Sequence, residues 1–425
     1  MLDIRFIKEN PGLVKENIKK KNQHEKIKLV DTLIKNYEES LALKQESEKL
    51  RHKRNELSEE INSLVKQKKD TSKIIHQLKN IPEEIKRLED NKESLEKEIR
   101  EILTKIPNIM HKSVPIGKDS TENKTLKKFG KIPKFSFPIK THVELGEELK
   151  VLDFISSANT SGNGFYYLQG DLALLNQALI RLGIEIMVKK GFLYVETPLM
   201  LRGNIINSVT DLHDQKNQIY KIDNEDLYLI GTSEHSLIGR YVDSIIPESQ
   251  LPIKHTSYSM CFRKEIGSHG IDEKGVFRTH QFNKIEMIVI CKPKESMKFF
   301  EQMQKITIEI FTSLGIPIRV LGICSGDLGD LKHIQVDIEA WSPRKKEYFE
   351  VGSCSNLTES QARKLKIRVD GKEGKYTPHT LNNTAIATSR ALVAIMENYQ
   401  QKDGSIKIPR VLQKFMNGKK VIKKL

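Results

Sequence analysis

Leu43, Leu50, Leu57 and Leu64 stand seven residues apart, and Ile81, Leu88, Leu95 and Ile102 repeat that interval further along the chain. Leu78, Ile85, Ile99 and Ile106 join the second set, so its apolar positions alternate in steps of three and four. Such a pattern keeps one narrow apolar stripe turned toward a partner helix, the seam of a coiled coil. From residue 26 to 106 there is no glycine and one proline, Pro82, and charged side chains dominate. The stretch from Lys66 to Lys79 between the two repeats is polar and lysine-rich. The simplest object is one long antiparallel hairpin of helices with its tip in that stretch. Pro82 suits a first helical turn and breaks an interior, so the second helix is expected to begin or kink there.

A hairpin of this kind is most simply a dimerisation rod. Lys66, Lys68, Lys69, Lys73 and Lys79 stand against Asp70 alone at the tip, which suits contact with phosphates. The whole chain of 425 residues carries 71 Lys and Arg against 56 Asp and Glu, a net charge of +15. That balance makes a polyanionic partner plausible, while a lysine-rich surface would give the same count. No apolar run approaches the ~20 residues a membrane helix needs, and the N-terminus lacks a signal-like apolar stretch. Cys261, Cys291, Cys324 and Cys354 show no CxxC spacing and no adjoining histidines. Zinc is therefore not expected, and reduced thiols in a cytoplasmic protein are.

Three segments are expected: a helical arm over 1–110, a Pro-, Gly- and Lys-rich linker over 111–143, and a domain of alternating helices and strands over 144–425. In the last, VFRTHQFNKIEMIVI (276–290) reads as a half-buried strand by its alternation. It belongs to a hairpin, residues 262–286, whose loop contains Gly267, Gly270 and Gly275. Arg263 and Glu265 lie two apart and would share a face, as would Arg278, His280, Phe282, Lys284 and Glu286. Arginine can clamp a phosphate, phenylalanine can stack on a base and glutamate can accept from an amine. A solvent-facing strand of mixed charge would look the same. GTSEHSL (231–237) places Thr232 and Glu234 on one side, and Glu350 and Ser353 have a spacing that could hold a hard cation. Small residues lead to Arg390 and then to an apolar helix. A turn and a helix cap are the plain alternatives for each. No GxxxxGK[ST], GxGxxG, GxSxG or HExxH motif occurs, which argues against P-loop and dinucleotide folds.

Taken in order, TSE (232–234), FRKE (262–265), FRTHQFNKIE (277–286), FEVGSCSN (349–356) and TSRALVAIMENYQ (388–400) resemble the seryl-tRNA synthetases, a family of class II aminoacyl-tRNA synthetases. The resemblance runs from LDIRFIKENP to IKIPRVLQKF. It implies an α+β fold, a class II antiparallel sheet flanked by helices and preceded by the helical hairpin, in a homodimer. GFLYVETP (191–198) resembles motif 1, whose proline lies at the dimer interface. Within the ATP site that the resemblance implies, Arg263 would hold the α-phosphate, Glu265 read the adenine amine, Thr279 touch the nucleotide, Phe282 pack on adenine and Arg390 hold the γ-phosphate. Lys264, Val351 and Gly352 would complete that site. Glu350 and Ser353 would bind Mg2+ with ATP. Arg263 and Arg390 are the implied catalytic pair. Thr232, Ser233, Glu234, Glu286 and Thr384 would form the L-serine pocket.

The implied activity is that of a ligase: serine is activated with ATP, then attached to tRNA(Ser) and also to tRNA(Sec). The arm would grip the tRNA's long variable arm, with Lys66, Lys68, Lys69 and Lys73 at its tip. Some features depart from the family pattern: VGS replaces ISS before CSN, NNTA (382–385) stands for NGSG, and DLHDQKN (211–217) and GSHGIDEKG differ in detail. FRKE and TSEH are similar to an archaeal-like branch. A non-catalytic tRNA-binding paralogue would lack the motif arginines, and a carrier-protein aminoacylase would lack the basic hairpin; both features are present here.

Overall fold

The sequence folds into two units, residues 1–107 and 108–425, in a computed structural model that describes residues 1–210, 218–265 and 275–424. In the first unit, two short helices, Ile4–Glu9 and Pro11–Lys20, precede a helix of 40 residues, Ile27–Lys66, which at 1.5 Å per residue is about 60 Å long. A second long helix, Ile81–Lys105, packs against it. The pairing is antiparallel: Asn36 donates to Glu98 at 3.1 Å, and Arg51 pairs with Glu89 further out. Pro82 lies in the first turn of the second helix, as expected. Ile81, Ile85, Leu88 and Ile99 are buried in the seam. On the long helix the leucines at 43, 50, 57 and 64 are half-buried, and the small Ser40 and Ser47 fill the complementary seam positions. The base is different. Ile7, Val14, Ile18, Val30 and Leu33 are fully buried there, each worth ~1.5–3 kcal/mol of transfer free energy. The tip is less plain than a loop, since Ser72–Leu78 forms its own short helix.

An eight-stranded sheet forms the body of the second unit. Its strands, numbered in chain order, are β1 (Lys124–Phe129), β2 (Leu193–Tyr194), β3 (Ile253–Phe262), β4 (Gln281–Cys291), β5 (Ile318–Gly322), β6 (Ile334–Ser342), β7 (Glu347–Thr358) and β8 (His379–Ala387). They lie in the order β1-β5-β6-β7-β8-β4-β3-β2. Every neighbouring pair is antiparallel except β2–β3, which is parallel. The expected antiparallel sheet therefore carries one parallel edge, made by residues of GFLYVETP.

Segment 111–143, expected as a linker, supplies the other edge. β1 pairs with β5 from Lys124↔Gly322 to Phe129↔Ile318. Nearly all of β1 is exposed, so KTLKKF has no apolar face from which to read a strand. The second unit also starts earlier than residue 144. Asn108 donates from its side chain to the carbonyls of Leu331 and Leu357 and to Thr358.

Helices Gly170–Lys189, Ser296–Ser313 and Thr388–Tyr399 cover one face of the sheet. A Cβ on Gly183 would meet Ile285 Cδ1 at 2.4 Å and Ile386 Cγ2 at 3.0 Å, so glycine permits the first of these helices to lie close on β4 and β8. β4 starts at Gln281 rather than at Val276, and its second half is wholly buried instead of half-buried. The alternation behind that expectation is nonetheless real. Ile285, Met287, Val289 and Cys291 point into the main core, while Ile288 and Ile290 join a second cluster on the opposite face. On that opposite face, Phe282, Lys284 and Glu286 meet a cleft instead of solvent.

Candidate active site

Two clefts occupy the face of the central strands opposite the main core. The first, about 550 Å³ counting the space open to solvent, gathers Arg263, Glu265, Thr279, Phe282, Glu350, Val351, Gly352 and Arg390, eight of the residues singled out for ATP. Arg263 follows β3. Its Nε donates to the Gly231 carbonyl at 3.2 Å, and its guanidinium lies 5.4 Å from the centre of the Phe282 ring. Arg390 lies in the first turn of the helix after β8. Its Nη1 donates to the Glu350 carbonyl at 2.9 Å and pairs with the Glu350 carboxylate at 3.0 Å. The guanidinium also lies 5.3 Å from the centre of the Phe277 ring. Two arginines, each backed by an aromatic face, thus flank the cleft. Thr279 is buried there and donates to the Gln281 carbonyl at 2.9 Å. A Cβ on Gly352 would come within 3.2 Å of the Thr384 carbonyl, so this departure from the family pattern matches the room available.

Strand alternation does not explain why Arg263 and Glu265 share the cleft, since β3 ends at Phe262 and Glu265 has a φ of 48°. That left-handed backbone, uncommon outside glycine, turns the chain. Glu265 pairs with Arg278 at 3.6 Å. His280 leaves the expected row: its ring bonds to the Tyr220 hydroxyl at 2.9 Å and the Arg263 carbonyl at 3.0 Å. Lys264 is not brought to either cleft; its ammonium lies 5.9 Å from the Tyr220 ring centre. Gly267, Gly270 and most of GSHGIDEKG lie outside the described residues, as does DLHDQKN.

The second cleft, about 1040 Å³, is lined by Thr232, Glu234, Glu286, Ser353 and Thr384. Glu286 sits opposite Ser257 on one neighbouring strand and Thr384 on the other. Its carboxylate accepts from Thr232 at 3.2 Å and Thr384 at 3.5 Å, and pairs with Lys284 at 2.5 Å. Thr232 also caps helix Ser233–Gly239, accepting from the Glu234 amide, so the plain reading, a helix cap, holds at this residue while its hydroxyl also reaches Glu286. Ser233 turns away and donates to the Ser257 carbonyl at 3.3 Å, fully buried. Glu234 accepts from Gln361 at 3.0 Å and from Asn382 at 2.7 Å. Burial, reinforced by the charge of Glu286, raises the Glu234 carboxyl above its ordinary range. Burial, with Arg263 and Lys284 nearby, pushes His235 down to about 3, so this cleft-lining imidazole is neutral at pH 7.

Glu350 and Ser353 are three apart on β7, a spacing that puts residues on opposite faces of a regular strand. Both line the second cleft because of a bulge. Glu350 pairs with Glu339 and Gly352 with the adjacent Ile338, leaving Val351 as an extra residue. One added residue restores the common face. Ser353 Oγ is buried, and the carboxyl beside it is that of Asp337, its register partner on β6. Burial and the Glu350 charge raise the Asp337 carboxyl. Burial opposes ionisation of Glu350 itself, but Arg390 beside it wins and holds its pKa low.

Sequence reasoning missed Phe277, Gln361, Asn382 and Asp337 as members of the site. Phe277 and Asn382 stand inside motifs already singled out. For Gln361, on the short helix Ser360–Lys364, the residues gave no signal. The clefts share Arg263, Lys284, Glu350 and Thr384, so they adjoin.

The comparisons with known proteins bear on both units. Residues 1–110 match the model of the seryl-tRNA synthetase N-terminal domain, and 218–399 that of the tRNA synthetase class II core domain (G, H, P, S and T). The serine–tRNA ligase of Methanospirillum hungatei is 45% identical over 99% of this chain and 100% of its own. That of Pyrococcus horikoshii is 40% identical over 99% of this chain and 98% of its own. The crystal structure of the Pyrococcus horikoshii seryl-tRNA synthetase complexed with ATP superposes with a TM-score of 0.95, covering 100% of both chains at 40% identity. A cytoplasmic serine–tRNA ligase from Naegleria fowleri in complex with AMP gives 0.90 at 31% identity, covering 100% of this chain and 99% of its own. With the motif residues gathered around two adjoining clefts and likeness along the full chain, this protein belongs to the seryl-tRNA synthetase family.

Proposed function

We propose that the chain activates L-serine with ATP to seryl-adenylate and passes the seryl group to the 3' end of tRNA(Ser), and also of tRNA(Sec). The observation that carries this reading is the second cleft. There a buried carboxylate, Glu286, is met by two hydroxyls, Thr232 and Thr384, with a second carboxylate, Glu234, on the same wall. A small substrate with an amine and a hydroxyl satisfies those groups. An analogue without the hydroxyl leaves them unpaired and is rejected by ~10⁴-fold or more.

ATP is assigned to the first cleft. Phe282 offers a face to adenine, Glu265 a carboxylate to its amine, and Arg263 and Arg390 cations to the α- and γ-phosphates. The serine carboxylate, ionised at neutral pH, attacks the α-phosphorus in line. The new P–O bond forms as the bond to the β-phosphate oxygen breaks, and pyrophosphate leaves with the electron pair. No proton moves, so no general base is assigned. Arg263 stabilises the charge that develops, and the clefts supply proximity.

The family implies Mg2+ bound with ATP, and the residues fit it. Ser353 Oγ is buried, and Glu350 and Asp337 bring carboxylates beside it, an all-oxygen set suited to a hard cation. Glu350 and Ser353 would hold the ion. Among the described residues no cluster of three or more His, Cys, Asp or Glu forms a cage, so phosphate oxygens would complete the shell. When bound, the ion would neutralise phosphate charge.

A homodimer is supported by exposed large apolar side chains, Leu193 on edge strand β2, Leu174 and Val188 on helix Gly170–Lys189, and Met200. The arm is assigned to tRNA through the exposed Lys66, Lys68, Lys69 and Lys73. A cytoplasmic location follows from tRNA and ATP as partners. Amino-acid-dependent ATP–pyrophosphate exchange across all twenty amino acids tests the reading. Exchange with serine alone is expected. Exchange with another amino acid would mean the pocket around Glu286 is misread, and none from folded protein would return the chain to a non-catalytic tRNA-binding role.

A further inference from the structure

The two clefts share four lining residues, and three of them already have roles: Arg263 at the α-phosphate, Glu350 at the metal and Thr384 in the serine pocket. The fourth is Lys284. It is nearly buried, on the central strand β4, at the junction where the two reactants must meet. The chemistry at that junction joins two anions, a carboxylate and a triphosphate. Bringing them into contact in a low-dielectric cleft is strongly opposed unless cations are already in place. Arg263 is one such cation.

The placement of Lys284 is unusual for a residue serving the fold alone. Its ammonium touches Glu286 at 2.5 Å and Thr232 at 3.4 Å, both residues of the serine pocket. A lysine carries three donors, so those two contacts leave one for a ligand. Its charge is felt on both sides of the junction: in the second cleft it opposes the burial that raises Glu234 and adds to the burial that lowers His235, and it adds to the lowering that Arg390 imposes on Glu350, which borders both.

We propose that Lys284 is a further catalytic residue, contacting the serine carboxylate as it closes on the α-phosphate and holding the two anions together through adenylate formation. This rests on the assignment of the clefts to ATP and serine. Glu286 is its charged partner in the structure. On binding, the serine amine and hydroxyl satisfy Glu286, and the ammonium turns its free donor to the carboxylate. No atom is transferred to or from Lys284; its part is electrostatic.

The test compares Lys284→Met, which keeps length and removes charge, with Lys284→Arg, which keeps charge. Each is checked first by thermal melting, then assayed by serine-dependent ATP–pyrophosphate exchange. Exchange turnover of Lys284→Met should fall ~10²–10³-fold, the usual loss when one donor to developing charge is removed. Lys284→Arg should recover a large part of it. The decisive readout is calorimetric binding of L-serine against L-serinamide, which has the same amine and hydroxyl but no anionic carboxylate. Lys284→Met should weaken L-serine at least ~10-fold more than serinamide. Equal weakening of both would overturn the proposal, because Lys284 would then act only by positioning Glu286. Exchange at the wild-type rate in Lys284→Met would also overturn it while leaving the cleft assignment intact. Absence of serine-dependent exchange in the wild-type protein would remove the assignment and the proposal together.

Discussion

The arm and the catalytic unit solve opposite problems with opposite materials. Beyond its base, the arm sets the half-buried leucines and small serines of its first long helix against buried Ile81, Ile85 and Leu88 of the second, and most of its charged side chains face water. The catalytic unit buries charged and hydroxyl groups, Lys284, Glu286, Thr232 and Thr279 among them, and ties most of them to one another. A surface that binds a large polyanion needs reach and accessible charge. A site that joins two small anions needs cations fixed in place before the reactants arrive. The comparison therefore predicts that damage in one unit should leave the other's task intact.

The largest effect should come from Arg263→Ala, which removes a cation from the first cleft. Pyrophosphate exchange should fall by at least ~10²-fold, with tRNA affinity unchanged in a filter-binding assay. Loss of both in a folded variant would break the separation. Next, Leu33→Ala at the fully buried base should cost ~2–5 kcal/mol, while Leu57→Ala on the half-buried seam should cost clearly less. Hydrogen exchange along helix Ile27–Lys66 of the full-length protein reads both; equal effects would mean that the arm is not graded from base to tip. Replacing Lys66, Lys68, Lys69 and Lys73 with alanine should weaken tRNA charging at limiting tRNA. It should also flatten the salt dependence by about 1 in log–log slope for each phosphate no longer neutralised, with exchange untouched. Charging that stays the same across a salt series would take the tip out of the binding site.

The smallest effect concerns pH. Burial, then the charge of His333, pushes His379 on β8 down to about 4. The unfolded chain takes up that proton near pH 6.5, the folded one only near 4. The unfolded state thus binds more protons in between, so stability is full above 6.5 and declines as pH falls toward 4. Urea midpoints of the second unit at pH 7.5 and pH 5 should differ less in His379→Gln than in the wild type. The same difference in both would assign the acid sensitivity to other groups.

How much of this the sequence disclosed depended on whether the determining contact was local. The heptads and Pro82 announce the hairpin, because a seam is a regular feature of one helix. The small helix at the tip shares only Leu78 with the heptad pattern. β1 reads as linker, because an exposed edge strand needs no apolar alternation. On β4 the period-2 pattern is correct, and only the partner of its polar face, a cleft instead of water, could not be read. In the site, most of the motif residues line one or the other of the two clefts. Gln361 could not be foreseen, since its contact with Glu234 spans 127 positions. Lys264 and Ser233 sit inside motifs, yet the backbone turns them toward Tyr220 and the Ser257 carbonyl.

The bulge at Val351 also sets which length changes each unit can absorb. Removing one residue between Glu350 and Ser353 would return β7 to regular pairing and send one of them to the far side of the sheet, because a single-residue shift reverses every side chain beyond it. The strand's length is frozen to the residue. The hairpin obeys a coarser rule: matched additions of seven residues to both helices lengthen the arm by about 10 Å and leave the seam in phase. Insertions and deletions across relatives should therefore accumulate near the arm's tip in multiples that conserve helical phase, and be absent from the stretch between Glu350 and Ser353.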